Sequence, residues 1–188
     1  MPHDVGRQKV SSRKIIEQHA EDLFISKGVE NTTVNEIVKV AGIAKGTFYL
    51  YFKNKNELID SIISAYTSDF LKTVLESYER ELKIKTLSQE ILKYFSKNPF
   101  YLVELRRNLT SAELYESTKR TIGAFMDFVM KYNNKLDEYV IHDWYSYTAI
   151  ILGMILDVSF RTLITDNNKE SGSVFLGDIL KRFFSCTD

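Results

Sequence analysis

Apolar residues recur along this chain at spacings of three and four, the period of a helix face, and almost nowhere in strict alternation. Ile16, Ala20, Leu23 and Phe24 form one such stripe, which predicts a helix over about residues 10–27 with Gly28 as its C-cap. Thr33 stands three residues before Glu36, the pattern of a capping box, and opens a short helix whose stripe is Val34, Ile37, Val38 and Ala41. Gly42 ends it, and a third helix is predicted from about Ala44 to Phe52. Asn54 and Glu57 repeat the cap pattern ahead of a long helix to about Leu82, with Ile59, Ile63, Tyr66, Phe70 and Val74 on one face. Thr86 with Gln89 predicts a helix to about Ser96. Asn98-Pro99 supplies an N-cap and a proline at the first helical position. Thr110 with Glu113 predicts a helix to about Tyr132. Two more are predicted over about Asp137–Thr165 and Ser173–Ser185, the last with Leu176, Ile179, Leu180, Phe183 and Phe184 inward. The pattern is all-α, with about nine helices and no strand, repeat or low-complexity segment.

Composition agrees. Pro2 and Pro99 are the only prolines and glycines number eight, so breakers are few, and no Asn-Gly or Asp-Gly marks a hairpin. The single cysteine, Cys186, leaves no internal disulfide framework and suits a reducing cytoplasm. The N-terminal stretch has no apolar segment of the signal-peptide kind. The longest apolar run, Ala149 to Leu156, falls well short of the roughly 20 residues of a membrane span. A cytoplasmic protein without a membrane partner is therefore expected. His3, His19 and His142 are scattered, and no glycine-rich phosphate loop, metal-spaced cluster or serine elbow occurs. No catalytic residue, metal or cofactor is expected, and the chain does not read as an enzyme.

Basic and acidic residues cancel at 25 each, so only their distribution is informative. Arg7, Lys9, Arg13 and Lys14 face a single acid, Asp4, in the first fourteen residues. Lys39, Lys45, Lys53 and Lys55 lie in residues 39–56 with no acid at all. The second patch coincides with the two short helices joined at Gly42, a helix-turn-helix arrangement whose turn needs a residue tolerant of positive φ. Phe48 and Phe52, four apart, share the inner face, which leaves Lys45, Thr47, Tyr49, Leu50 and Tyr51 on the remaining surface. Gly46 costs such a helix about 0.5–1 kcal/mol relative to alanine, a cost that close approach by another backbone or a nucleic acid would explain. Lys45 in the first turn could reach a guanine edge or a phosphate, and Thr47 and Tyr49 offer hydroxyls to phosphate oxygens. Lys55 and Thr33, each at a helix start, complete an expected phosphate clamp. Lysines alternating with aromatics are more often a solvated face over a core. Here the caps, the glycine turn and the acid-free run coincide within a short stretch, which favours DNA.

The segment TTVNEIVKVAGIAKGTFYLYFKNKNEL, Thr32 to Leu58, closely resembles the signature of TetR/AcrR-family transcriptional regulators. Thr33, Ile37, Ala41, Gly42, Ile43, Gly46, Thr47, Phe48, Tyr49, Tyr51, Phe52, Lys55 and Leu58 fall in register. Val38 replaces a usual small alanine, and Ala44 stands where an N-capping serine is frequent. The resemblance is strong over about residues 8–58 and implies a DNA-binding domain, 1–54, followed by a helical effector-binding and dimerisation domain, 55–188. It further implies a homodimer on a near-palindromic double-stranded operator, usually repressing, with the two heads separated or tilted by a small molecule. By position, Thr33, Thr47, Tyr49, Tyr51 and Lys55 would meet phosphates, Lys45 and Leu50 bases, and the last two helices the partner subunit.

Beyond residue 60 the chain holds 19 of its 24 aromatics, an ordinary core in the simplest reading. Polar groups among them suggest a cavity for a small, largely apolar or aromatic effector. The candidate lining is Phe100, Tyr101, Arg106, Phe125, Trp144, Tyr147 and Asp157. Asp157 could equally form a structural bridge to Arg106, Arg107 or Arg161. A helical adaptor that keeps this fold without DNA binding is the competing expectation; steep salt dependence and a specific operator would separate the two.

Overall fold

In the computed structural model the described residues are 4–76, 83–111, 114–132, 143–166 and 168–184, and among them every regular element is helical. The helices are α1 (Asp4–Lys27), α2 (Val34–Val40), α3 (Lys45–Tyr49), α4 (Lys55–Phe70), α5 (Ile84–Lys97), α6 (Pro99–Leu109), α7 (Glu116–Tyr132), α8 (Trp144–Phe160) and α9 (Lys169–Phe184). α4 and α8 each run on into a π-helical turn, Leu71–Leu75 and Arg161–Thr165. The chain divides into two compact units, Met1–Ile62 and Ile63–Asp188, so the division falls within α4. The first turns of α4 belong with the N-terminal unit because Leu58, Ile59 and Ile62 are buried there with Ile16, Ala20, Phe24, Ile37, Phe48 and Phe52.

The caps of this first unit follow the sequence. The Thr33 hydroxyl accepts from the Glu36 N–H while the Glu36 carboxylate accepts from the Thr33 N–H, a complete capping box. Asn54 Oδ1 accepts from the Glu57 N–H at 2.9 Å. Gly28 and Gly42 have φ of 86° and 65°, a region that costs residues with a Cβ roughly 1–2 kcal/mol. α1 starts at Asp4, ahead of the expected start near residue 10.

In the second unit the caps depart from the sequence reading. α5 opens at Ile84 from Lys83, with no side-chain cap, so Thr86 and Gln89 lie inside it. The Asn98 side chain does not cap α6; its Nδ2 donates back to the Tyr94 carbonyl at 3.0 Å. Thr110 likewise turns backward, donating to the Arg107 carbonyl and closing α6. α7 therefore starts at Glu116, where Asn108 Oδ1 accepts from the Tyr115 N–H at 2.8 Å and the Thr118 hydroxyl at 2.7 Å. Glu113, the other half of that expected cap, lies outside the described residues, as do Asp137 to His142 and Leu82. α8 starts at Trp144, where Asp143 accepts from the Ser146 N–H.

α9 begins four residues before the expected Ser173, with Asn168 Oδ1 accepting from the Ser171 N–H. Gly172, which precedes the expected helix, lies inside α9, and a Cβ there would clash with the Thr162 side chain on the π turn. Leu176 and Leu180 are buried and Ile179 half-buried; the side chains of Phe183 and Phe184 are outside the described set. Tyr66, Phe70, Tyr94, Phe95 and Tyr101 fill the middle of this unit, Phe70 stacked on Phe95 at 5.2 Å and Tyr66 on Tyr101 at 5.5 Å. Tyr145–Thr165 is 21 residues long with mean hydropathy 1.6, long and apolar enough to cross a membrane by composition. The run of apolar letters stops at Asp157, but the helix does not. It packs against α6, α7 and α9 as the central helix of the unit.

Candidate nucleic-acid interface

The turn between α2 and α3 is built by three short-range bonds: Ala41 N–H to Ile37 O, Gly42 N–H to Lys39 O, and Ile43 N–H to Val38 O at 3.0 Å. Ile43 is half-buried between the helices, as a plug for the turn should be. Phe48 and Phe52 are buried, with ring centroids 5.7 Å apart. That fixes the outward face of α3 and the residues after it. Lys45 and Gly46 are exposed, Tyr49 is 51% exposed and Leu50 79%. Thr47 and Tyr51 are half-buried at the edge. Lys39 and Lys53 are exposed, and so is Val40 at 51%, an apolar neighbour that the helical stripe did not single out. A Cβ at Gly46 would meet nothing of this chain within 4 Å, so no packing inside the protein requires glycine there.

Two of the expected phosphate ligands are differently employed. The Lys55 ammonium donates to the Val29 carbonyl at 2.7 Å and the Thr32 carbonyl at 3.0 Å. It ties the start of α4 to the α1–α2 loop, where both carbonyl residues are buried. Thr33 is committed to its capping box, and the N-terminus of α2 already carries an anion in the Glu36 carboxylate. Lys27 at 2.8 Å, then the Thr33 N–H and hydroxyl, hold that carboxyl down to about 2. The picture of two open helix starts clamping phosphate therefore gives way to one of internal ties. Arg13, from the N-terminal basic patch, is similarly engaged: it bonds Glu17 at 3.1 Å and Ser61 at 2.8 Å, and its guanidinium lies 4.9 Å from the Phe52 ring centre. Lys55→Ala is accordingly expected to destabilise the N-terminal unit by about 1–3 kcal/mol, since two carbonyls lose a charged donor. Thermal melting of the variant checks this; an unchanged midpoint alongside weaker DNA binding would restore Lys55 to the phosphates.

Residues 15–62, the stretch from α1 to the first turns of α4, match the family model for bacterial regulatory proteins of the tetR family. It is this stretch that belongs to the TetR family. Among its relatives, a helix-turn-helix transcriptional regulator of Staphylococcus aureus is 32% identical over 92 residues, 47% of this chain and 50% of that protein. The fatty acid metabolism regulator protein of Bacillus subtilis is 31% identical over 121 residues, 63% of this chain and 60% of that one. The chain thus matches only about half to three fifths of the length of those relatives. The fold extends further. The fatty acid degradation regulator FadR of Bacillus halodurans superposes with a TM-score of 0.67 at 17% identity, covering 92% of this chain and 94% of that one. The Bacillus subtilis FadR, solved in complex with stearoyl-CoA, gives 0.64 at 17% identity over 93% and 99%.

Of the seven expected effector residues, six have described side chains in the C-terminal unit. Phe100 and Tyr101 both approach Tyr66, at 6.5 and 5.5 Å. Tyr101 is fully buried; its hydroxyl lies 3.2 Å from that of Thr67, which is 3.2 Å from the Thr121 hydroxyl, and burial pushes the phenol up to about 12. Phe125 is buried and stacked on Phe128 at 5.9 Å. Tyr147 is half-buried, and Trp144 starts α8 with its side chain outside the described set. Arg106 and Asp157 form the bridge: 2.8 Å apart, both partly exposed, with Arg161 also on Asp157 at 2.8 Å and Arg106 over the Phe160 ring. These two guanidinium groups hold the Asp157 carboxyl below its usual range, Arg106 first. What periodicity missed is four buried threonines, Thr67, Thr118, Thr121 and Thr148, of which Thr67 meets Thr121 and Thr118 bonds Asn108. Threonine within a predicted helix was the only signal.

Proposed function

We propose that this chain is a DNA-binding transcriptional repressor acting in the cytoplasm, a homodimer on a palindromic operator released by a small, largely apolar effector. The observation that carries this reading is the acid-free open face of the helix-turn-helix, where Lys45, Gly46, Tyr49 and Leu50 stand outward over buried Phe48 and Phe52. In such a face Lys45 donates to guanine O6 and N7 or to a phosphate, and Leu50 meets a thymine methyl. Tyr49, Thr47 and Tyr51 give hydroxyls to the backbone, while Lys39 and Lys53 neutralise phosphates nearby. Gly46 lets the DNA come close. Dimerisation through α8 and α9 is supported by outward Ile150, Met154 and Ile164 on the first and its π turn, and Val174 and Phe175 on the second. The relatives named for fatty acid regulation favour an acyl chain as the apolar part of the effector. Release follows if occupancy shifts α4 and so changes the separation of two recognition helices that must sit about 34–36 Å apart, or a multiple, to read successive grooves.

Operator fragments selected from genomic DNA test the reading in a filter-binding assay. Binding should fall steeply with salt, and Lys45→Ala should cost about 1–3 kcal/mol while relaxing preference at one base position. Gly46→Ala separates folding from recognition. It should leave the melting temperature unchanged or raise it, by up to about 1 kcal/mol of helix stability, while operator affinity drops at least about tenfold. Full operator affinity in that variant would remove the close approach from the account.

A further inference from the structure

α5 and α9 are the most extensively packed helix pair of the C-terminal unit, and along their outer seam runs an open groove of about 780 Å³. Its walls contain none of the residues considered for DNA or effector binding. On α5, Lys85, Gln89, Lys93 and Lys97 recur every fourth residue, so they form a single row over three turns, roughly 18 Å long. On α9, Lys169 and Lys181 stand near the two ends of the same seam. Between the rows the surface is small and hydroxyl-bearing. Ser88, Ser96, Ser173 and Gly177 lie there, with Leu92 and Val174 as the apolar part. A Cβ at Gly177 would meet Ser88 Oγ at 3.5 Å, an ordinary contact. Five lysines face two acids, Glu170 and Asp178. Lys93 is shared with Glu90 at 2.9 Å and Lys169 with the Ser96 hydroxyl at 3.0 Å, whereas among the described residues Lys85 and Lys97 pair with no carboxylate.

We infer that this groove is a binding site for a small, elongated organic polyanion, of the size and charge of a nucleoside diphosphate. The volume falls within the roughly 300–1,000 Å³ of small-molecule sites. A row of ammonium groups on flexible stems suits phosphate oxygens, which they meet as point charges without demanding one geometry. A single carboxylate would leave most of that charge unanswered. The Ser96 and Ser173 hydroxyls can donate to bridging oxygens or a sugar, while Ser88 is buried with its hydroxyl on the Lys85 carbonyl, and exposed Val174 offers an apolar contact for a planar base. The site uses the side of α9 that faces α5, with Val174 at its border to the face proposed for dimerisation. It stands whether or not the DNA-binding reading holds.

Titration calorimetry of the full chain with ADP, pyrophosphate and adenosine tests it. ADP should bind with Kd below about 1 mM, pyrophosphate should compete, adenosine alone should not bind, and added salt should weaken the interaction. Lys93→Ala with Lys97→Ala should reduce ADP affinity at least about tenfold with an unchanged far-ultraviolet spectrum. Ser96→Asp, which puts a carboxylate in the groove at an exposed position, should do the same. Lys39→Ala with Lys45→Ala should leave ADP binding intact. Absence of ADP binding, equal binding by the groove variants, or loss only in the Lys39 and Lys45 variant would overturn the inference. So would displacement of ADP by polyglutamate at lower charge concentration, which would make the groove a seat for an acidic segment.

Discussion

Ile150→Glu combined with Phe175→Glu is expected to yield a folded monomer that binds its operator about 10²- to 10⁴-fold more weakly. Both side chains are largely exposed, Ile150 at 62% and Phe175 at 58%, so glutamate takes little from the core of the subunit that carries it. In a two-fold interface each substituted position faces the same patch of its partner, so two substitutions bring four carboxylates together. Like charges so placed cost several kcal/mol, ample against an interface whose apolar content includes these residues with Met154, Ile164 and Val174. Operator affinity then falls because the second half-site contact is no longer intramolecular, and the advantage forfeited is of the stated order. Sedimentation velocity reads the mass and filter binding the affinity. A double variant that remains a dimer would place the interface elsewhere.

Phe48→Ala is expected to abolish operator binding by unfolding the recognition unit rather than by removing a contact. The ring is fully buried, 5.7 Å from Phe52 and 5.3 Å from Tyr49. Truncating such a phenylalanine costs about 3–5 kcal/mol. A unit of some sixty residues has little more than that to lose. The short α3 has no side-chain cap of its own, and Phe48 is its one buried residue. Limited proteolysis should cut within the first sixty residues of the variant while the C-terminal unit stays intact. A protease-resistant head that merely reads DNA poorly would mean that the ring shapes the surface without holding the fold.

The parts of this fold that the sequence made legible are those written in local spacing. The capping box at Thr33, the cap at Asn54, the positive φ at Gly42 and the inward pair Phe48 and Phe52 all depend on residues within four positions of one another. The inward–outward division of α3 followed from them. Bonds that close over longer distances were invisible. Lys55, expected at a phosphate, reaches back to Val29 and Thr32, and Arg13 of the N-terminal basic patch reaches Ser61. Thr86 and Thr110 had the spacing of N-caps, yet one lies within a helix and the other closes the preceding one, because Asn108 had already satisfied the start of α7. The effector region was least legible. Which aromatics are core and which are wall is decided by tertiary packing, and the Asp157 bridge was one of two equal readings until its partners were in place.

Gly172 has a consequence that reaches beyond its own turn. Because the space for even one methyl group at that position is filled by Thr162, α9 can lie down against the end of α8 only as long as the side chain there is a hydrogen atom. Any larger residue acts as a wedge at the hinge end of a helix, and a small displacement there grows along the remaining turns toward Lys181. The lysine-lined seam with α5 would gape at its far end, although no residue of the seam had changed. Its breadth is thus set from outside it, by an absent carbon atom.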